Sequence, residues 1–182
     1  SRTNRYKEIF FEEFLNSNIN QITYPDILLK NVMSGVPERL RGKFWSKCIG
    51  NKLSITPEIF ESNLQKSEEL LDLDTENEKY ILPFNYLGIF KKDNPLTFDL
   101  SDVINGFLIS KNNIKYNDKI PYLVGMLIIN MDKYKAYEAF ENLLSKKNRI
   151  IYYLNNINNH DLLKLGYIND TNKGDNDIDP II

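Results

Sequence analysis

The chain is 182 residues long, 42% of them are hydrophobic, and its formal charge at pH 7 is −2. A chain of this size and apolar content can fold as one domain or as part of a larger one. The slightly acidic charge argues against nucleic-acid binding and against a polybasic contact with a membrane. One cysteine and one histidine exclude an internal disulfide and an ordinary zinc site.

The sequence has no feature that would place it in a membrane or in the secretory pathway. No apolar run is long enough to span a bilayer. Residues 1–13 are charged throughout, unlike a secretory signal peptide. We therefore expect a cytoplasmic protein that does not insert into a membrane and needs no metal or other cofactor. Nothing in the sequence predicts an oligomeric state.

Two helices are predicted near the start of the chain. The first is indicated by apolar residues at helical spacing, namely Tyr6, Ile9, Phe10, Phe14 and Leu15. The second is indicated by YPDILLKNVMSG, in which Pro25 suits a helix start and Gly35 comes just past the end.

The next two helices have clearer ends. VPERLRGKFWSKCIGN has Pro37 at its start and Gly50 at its end, which predicts a third helix. Its apolar stripe predicts a buried face made of Leu40, Phe44 and Cys48. SITPEIFESNLQKSEELLDL predicts a fourth helix, with Thr56 as its N-cap and Pro57 as its first residue.

The second half of the chain alternates irregular and helical stretches. DTENEK reads as a loop, and YILPFNYLGIFKKDNPL is broken by Pro83 and Pro95. Helices are predicted at DLSDVINGFLIS, IPYLVGMLIINMDKY and KAYEAFENLLSK, and less regular ones at RIIYYLNNINN and HDLLKLGYIN. Because no stretch has strand alternation or a hairpin turn, we predict an all-α, multi-helix fold.

Most polar clusters have a simple explanation. The alternating Asp175, Asp177 and Asp179 lack the glycine and closing glutamate of a calcium loop, so we interpret them as a solvated tail. His160 and Cys48 have no evident catalytic partner. The acidic residues of KSEELL and YEAFENLL are expected on the wet faces of amphipathic helices. None of these groups predicts a catalytic or metal site.

The third helix carries a recognisable motif. Arg41 and Trp45 lie one turn apart, a spacing that suits an arginine over an aromatic face, and Gly50 closes the helix. GVPERLRGKFWSKCIGN resembles the Arg-xxx-Trp-xxxx-Gly signature of the TBC domain, the catalytic domain of GTPase-activating proteins for Rab-type GTPases. With later motifs in the same order, the resemblance covers residues 24–144, and it implies an all-helical TBC fold.

Members of this family act by giving two side chains to the bound GTPase. An arginine stabilises charge on the phosphates, an effect worth about 10³–10⁵ in rate when it is supplied in trans. A glutamine from a Tyr-x-Gln motif orients the attacking water. PYLVGMLIIN resembles that second motif through Tyr122, Gly125 and Met126, but Val124 stands where the glutamine is expected.

The arginine position is substituted as well. If PFNYLGIF is aligned without gaps, the arginine falls at Leu82. If LDLDTENEK is the motif instead, Leu71 and Asp74 match, and Asn77 replaces the arginine. Because neither leucine nor valine can donate a hydrogen bond, we predict a degenerate domain without catalytic residues.

The resemblance leaves three hypotheses about function. The first is a helical domain that binds a GTP-bound Rab-type GTPase without accelerating hydrolysis. Its groove would be formed by Asp74, Asn77, Leu82, Phe84 and Val124. The second is a working activator that uses other side chains, for which Lys79, Lys91 and Lys92 are candidates, although lysine lacks arginine's forked geometry. The third is a helical scaffold for contacts unrelated to GTPases.

The predicted domain covers residues 1–155. Residues 156–182 would then be a divergent or truncated helical segment with a polar, acidic tail. Through its GTPase partner, the protein would lie at the cytoplasmic side of internal membranes.

Overall fold

A computed structural model describes residues 2–18, 25–70, 80–81, 89–91, 94–111, 116 and 119–145. These residues form seven α-helices and no strand, which confirms the predicted all-α class. The helices are Arg2–Asn16 (α1), Pro25–Met33 (α2), Glu38–Ile49 (α3), Pro57–Leu70 (α4), Pro95–Ser110 (α5), Ile120–Ile128 (α6) and Lys133–Leu143 (α7). The helices predicted at RIIYYLNNINN and HDLLKLGYIN lie outside the described residues. No described helix is long and apolar enough to cross a membrane.

The first four helices begin and end close to their predicted signals. Pro25 and Pro57 are the first residues of α2 and α4. Gly35 and Gly50 have φ angles of +98° and +68°. These angles strain any residue with a Cβ, so glycine is required where the chain leaves the two helices. The N–H of Gly50 donates to the carbonyl of Ser46 at 2.9 Å, which completes the last turn of α3.

Two predicted boundaries in the second half are wrong. Pro95 does not break the chain but opens α5, four residues before the predicted start at Asp99. Proline suits a first helical position, and Asn94 caps the helix by accepting a hydrogen bond from the N–H of Leu96 at 2.9 Å. The helix predicted at IPYLVGMLIINMDKY ends at Ile128, because Asp132 caps a new helix by accepting from the N–H of Lys135 at 3.0 Å.

The buried hydrophobic residues that the structure describes form two clusters. The larger cluster lies between the four helices α4, α5, α6 and α7. Its fully buried aromatic and aliphatic side chains include Phe60, Leu100, Ile104, Phe107, Leu127 and Phe140. The smaller cluster joins α1 to α3 through Phe11, Phe14, Leu40 and Phe44. The rings of Phe11 and Phe44 meet edge to face, with centroids 5.2 Å apart. The stripe of α3 is thus buried as predicted except at Cys48, which is exposed beyond the end of this cluster.

Helix α7 is the central helix of the larger cluster. It packs against α3, α4, α5 and α6, and its residues 136–142 are all buried. Two of these residues are acids, Glu138 and Glu141, with 7% and 1% of their surface exposed. The prediction that the acids of YEAFENLL lie on a wet face is therefore wrong, because α7 is enclosed on every side.

Helix α1 is held to α3 by polar contacts as well as by the smaller cluster. The ammonium of Lys47 donates to the carbonyls of Phe14 and Leu15 at 2.9 and 2.7 Å, and also to that of Ser17. These carbonyls belong to the C-terminal turn of α1, where a helix has unsatisfied acceptors and attracts a cation. Lys47 therefore acts as a C-terminal cap for a helix to which it does not belong.

Candidate functional site

The motif helix α3 makes an unusually close contact with the turn between α6 and α7. A Cβ atom placed on Gly42 would be 1.9 Å from the carbonyl oxygen of Asn130 and 2.9 Å from its carbonyl carbon. Only a glycine permits such an approach of two backbones. Gly42, which directly follows Arg41 of the motif, therefore fixes the distance between α3 and the second motif helix, α6.

Arg41 reinforces this contact. Its guanidinium donates to the side-chain oxygen of Asn130 at 3.3 Å and to the carbonyl of Val36 at 3.4 Å. It does not lie over the ring of Trp45, as the spacing had suggested, and the cation–π contacts among the described residues are made by Lys47 and Lys135. Arg41 is thus occupied in joining α3 to the α6–α7 turn.

Trp45 lies between the two parts of the core. Its half-buried side chain packs against the larger cluster and also against the smaller one. Together with the cap at Gly50, this position makes the Arg-xxx-Trp-xxxx-Gly helix a structural joint. Among the residues that the structure describes, the side chains of Arg41 and Trp45 are both used in contacts within the fold.

The loop that follows Gly50 is tied to α7 by amide side chains. Asn142 accepts a hydrogen bond from the N–H of Leu53 at 3.0 Å and donates to the side chain of Asn51 at 3.1 Å. Asn51 in turn donates to the carboxylate of Glu138 at 3.2 Å and exchanges hydrogen bonds with the backbone of Ile55. The hydrogen bonds of this network account for two of the polar residues buried on α7, Glu138 and Asn142.

Tyr134 completes this network. Its hydroxyl lies 3.0 Å from both the carbonyl of Ile55 and the carboxylate of Glu138. The pKa of Tyr134 is raised to about 12, mainly by burial and secondly by the hydrogen bond to Glu138. The hydroxyl therefore stays protonated at neutral pH and serves to hold the loop.

A second buried carboxylate belongs to the core and not to a catalytic site. Glu141 accepts a hydrogen bond from Ser110, and the ammonium of Lys111 lies 2.9 Å from its other oxygen. Tyr137, which accepts from Asn63 at 2.9 Å, has its pKa raised by burial and by the charge of Glu141. With 1% of its surface exposed, Glu141 cannot meet a substrate.

Helix α6 carries the motif in which a glutamine is expected. The side chain of Val124 has no exposed surface and lies in the larger cluster, and Gly125 is also buried. Tyr122 and Met126 face outward, with 45% and 44% of their surface exposed. The side chain of Val124 thus points toward the core, and its predicted role as a groove residue stays a prediction.

The other predicted groove residues, Asp74, Asn77, Leu82 and Phe84, lie outside the described residues. The same holds for Lys79 and Lys92. Lys91 is described and exposed.

A cavity of about 820 Å³ opens between α4, α5 and the start of α7. Its wall carries the carboxylates of Glu58, Glu61, Glu68 and Asp102, and one ammonium from Lys133. Lys133 is bound to Asp102 at 2.7 Å, which raises the pKa of the lysine. With four carboxylates and one ammonium, the wall of the cavity has a net negative charge. This charge repels phosphates, so the cavity does not suit a nucleotide.

Sequence reasoning missed the residues that join the motifs. Asn51 and Asn142 lie far apart in the sequence, and no short-range signal connects them. Gly42 was recognised within its motif, but the backbone of Asn130 that makes it necessary could not be read from the sequence. Asp132 was also missed, because it was placed inside a longer helix, although an aspartate before a run of helix formers is an N-cap signal that could have found it.

The fold and these contacts define an all-helical domain in which the two motif helices, α3 and α6, are held together. Within the part of the chain that the structure describes, no pocket suits a nucleotide. The family model of the Rab-GTPase-TBC domain matches residues 38–168, and the chain belongs to this family. The resemblance found in the sequence is thereby confirmed. The match extends past residue 155, and the predicted domain boundary at that point stays a prediction.

The relatives are distant in sequence. The chain is 27% identical over 143 residues to TBC1 domain family member 12 of Xenopus tropicalis, which covers 65% of this chain and 21% of that protein. It is equally similar to TBC1 domain family member 14 of Bos taurus, with the same coverage. Drainin of Dictyostelium discoideum is 27% identical over 163 residues, or 59% of this chain and 37% of that protein. The chain thus spans about a fifth of the length of the first two.

Proposed function

We propose that this TBC domain binds a GTP-bound small GTPase of the Rab type and does not accelerate GTP hydrolysis through an arginine and a glutamine of its own. Membership of the Rab-GTPase-TBC family supports the class of partner. Binding would hold the protein at the cytoplasmic side of the membrane on which its GTPase lies.

One observation carries the claim of deficient chemistry. The residue at the glutamine position is Val124, which has neither a donor nor an acceptor on its side chain. It is also fully buried, so no water bound to a GTPase can lie against it. The buried Gly125 beside it has no side chain at all. The described part of α6 therefore has no polar group at this position that could orient an attacking water.

The GTPase contact is proposed around residues 75–90 and the N-terminal end of α6. Asp74, Asn77, Leu82 and Phe84 remain proposed contact residues. Val124 acts in this proposal only through its identity, as the buried substitute for the glutamine. The acidic cavity between α4 and α5 is not part of the proposed contact, because no motif residue of α6 lines it.

The test measures binding and hydrolysis on the same samples. The 182-residue chain is titrated into a panel of Rab GTPases loaded with GTP or GDP, and single-turnover hydrolysis is followed in parallel. We expect saturable binding to at least one GTP-loaded member and hydrolysis at its intrinsic rate. An acceleration of about 10³-fold, the lower range for an arginine in trans, would contradict the deficient chemistry.

A pair of matched variants tests the location. Phe84→Asp should abolish GTPase binding, whereas Phe98→Asp should not, since Phe98 is 58% exposed on α5 and is not among the proposed contact residues. If neither variant changes binding, the proposed contact is wrong. If no GTPase binds the unmodified chain, a helical scaffold with unrelated partners becomes the better hypothesis.

Lys91 supports a second candidate function. It is exposed and directly follows the proposed contact segment 75–90 in the sequence, so we propose that its ammonium reaches a phosphate in place of the missing arginine. In that case the panel would reveal acceleration, and Lys91→Ala, Lys79→Ala or Lys92→Ala would remove it. Acceleration that survives all three substitutions would exclude these lysines.

A further inference from the structure

Two described parts of the proposed contact segment, residues 75–90, lie against α5. The first is Tyr80, whose side chain has no exposed surface and belongs to the larger hydrophobic cluster. Its hydroxyl donates a hydrogen bond of 2.8 Å to the side-chain oxygen of Asn105, which is 3% exposed on α5. Because buried polar groups need partners, this bond favours one position of Tyr80 on the helix.

The surroundings of Tyr80 are closely packed. The ring of Tyr116 lies 5.4 Å from that of Tyr80, centroid to centroid, and it packs against the same cluster. On α5, a Cβ atom placed on Gly106 would lie 3.2 Å from the ring of Phe60 and 3.3 Å from that of Tyr137. Helix α5 therefore has little room to shift here, and it gives Tyr80 a rigid base.

The second described part of the segment is held at the N-terminal end of the same helix. Phe90 is buried in the larger cluster. The side-chain amide of Asn94, the N-cap of α5, donates to the carbonyl of Ile89 at 2.9 Å. The hydroxyl of Thr97 donates to the carbonyl of Lys91 at 2.6 Å. The chain is thus attached to α5 at two points.

In the sequence, the two attachments lie on either side of the proposed contact residues Leu82 and Phe84. We propose that Tyr80, held by Asn105, is a positioning residue that fixes this segment on α5 in the arrangement that a GTPase binds. The inference rests on the proposed function and adds what supports the contact. If only the anchored arrangement binds, the apparent affinity is proportional to the anchored fraction of the molecules.

The anchor is relevant to both alignments of the missing arginine. One alignment places the arginine at Asn77 and the other at Leu82, and both positions lie within three residues of Tyr80. A buried residue this close along the chain restricts where either position can lie. The same positioning residue would therefore serve the contact under either alignment.

Trypsin cleavage after Lys79, the residue before Tyr80, tests the anchor in the 182-residue chain. Cleavage of a folded protein requires local opening, so its rate follows the open fraction. Each rate is divided by that of the same bond in a synthetic peptide of residues 75–84. We expect Tyr80→Phe to speed cleavage about three- to tenfold, which corresponds to one lost hydrogen bond.

Tyr137→Phe is the matched control for this measurement. It removes an equally buried tyrosine hydroxyl, whose partner Asn63 lies on α4 and outside the proposed contact segment. The control variant should leave the normalised rate of cleavage after Lys79 unchanged. An equal increase in both variants would show that cleavage reports general loss of stability, and the anchor would be refuted.

A double-mutant cycle assigns the effect to the pair. Asn105→Leu removes the acceptor, and Tyr80→Phe combined with Asn105→Leu removes both partners together. If the hydrogen bond is the anchor, the double variant should be cleaved no faster than the faster of the two single variants. Effects that multiply would show that the two residues act separately, and Asn105 would not be the partner that holds the segment.

GTPase binding tests the positioning role. Tyr80→Ala loses both the buried ring and the hydrogen bond, so we expect affinity for the GTP-loaded GTPase to fall about tenfold or more. Phe60→Ala is the control, since it removes an equally buried ring that stacks on Tyr137 at 4.4 Å, and it should leave the affinity unchanged. If either variant fails to fold by circular dichroism, Tyr80→Leu and Phe60→Leu replace the pair, with an expected loss of about threefold or more at position 80.

The possible failures can be told apart. Rapid cleavage after Lys79 in the unmodified chain would refute the anchor. Faster cleavage of Tyr80→Phe with unchanged GTPase affinity of Tyr80→Ala would leave the anchor in place but refute its role in binding. If no GTPase binds the unmodified chain, the proposed function fails and the positioning role with it, whereas the cleavage rates still decide whether Tyr80 is anchored.

Discussion

The backbone of Gly42 touches the backbone of Asn130, so that a methyl group on Gly42 would lie 1.9 Å from the carbonyl oxygen of Asn130. This contact joins the first motif helix, α3, to the turn after the second motif helix, α6. Since the neighbouring atoms are backbone, they cannot move aside by changing a rotamer.

Gly42→Ala should therefore destabilise the domain strongly. We expect the free energy of unfolding to fall by about 3 kcal/mol or more, at the upper end of overpacking effects, because α3 must shift away from Asn130. Urea unfolding followed by tryptophan fluorescence measures the change. The neighbouring Lys43→Ala is the control, because Lys43 is exposed. Equal stability of the two variants would mean that α3 does not lie this close to Asn130.

Lys47→Met should weaken the attachment of α1. The substitution keeps most of the apolar stem but removes the ammonium that donates to Phe14, Leu15 and Ser17. Charge-assisted hydrogen bonds contribute about 1.5–3 kcal/mol, and we expect a loss in that range by urea unfolding. Lys43→Met serves as the matched control on the same helix. A loss of the same size in both variants would argue against the capping role.

Asn142→Ala should release the loop after α3. It removes the hydrogen bonds that Asn142 makes to the N–H of Leu53 and to the side chain of Asn51, which keeps its own bonds to Ile55 and Glu138. A typical lost hydrogen bond costs about 0.5–1.5 kcal/mol, so the melting temperature should drop by a few degrees at this domain size. Asn31→Ala removes only an exposed hydrogen bond within α2, and it should be nearly neutral. The prediction is wrong if the two variants melt together.

Tyr134 makes stability depend on alkaline pH. Its pKa is raised from 10.0 to about 12 in the folded protein, so the folded state binds more protons than the unfolded state between these values. The stability contribution is therefore complete below pH 10 and is lost as the pH rises toward 12. Tyr134→Phe should be less stable than the unmodified protein at pH 8, and this difference should shrink as the pH rises. Tyr6→Phe, at a position that is 73% exposed, should show no such convergence in urea unfolding.

Val124→Gln should destabilise the domain, although it restores the residue type expected in the family. The glutamine amide would enter a fully buried apolar site, at a cost of about 1–3 kcal/mol. Met126→Gln is the control, because Met126 lies two residues away on the exposed face of the same helix. A fully stable Val124→Gln variant would indicate that the amide reaches solvent, and hydrolysis should then be measured on that variant combined with Leu82→Arg.

Local signals predicted much of the fold. Proline at helix starts and glycine after helix ends placed α2, α3 and α4, because these residues act through their own backbone angles. Pro95 was misread as a breaker, since its role depends on whether the residue before it can cap. The acids of α7 were misplaced for a different reason. Helical spacing predicts that two side chains share a face, but it does not reveal how many helices enclose that face.

The candidate site was predictable only in part. The substitution at Val124 follows from the order of Tyr122, Gly125 and Met126, and it could be read from the resemblance. The direction of the Val124 side chain could not, because it depends on how α6 packs against α5 and α7. Likewise, Arg41 was expected over Trp45 within its own helix, whereas its partner Asn130 comes from a turn that is distant in the sequence.

Trp45 lies against both hydrophobic clusters, and this has a consequence for how the domain loses its structure. The smaller cluster has few buried side chains and holds α1 by one face, so it is the natural first unit to come apart. A single indole that borders both units couples their opening, because exposing one unit uncovers part of the surface on which the other packs. The signature tryptophan therefore contributes to the cooperativity of unfolding, together with the contacts that Gly42 and Arg41 make with Asn130.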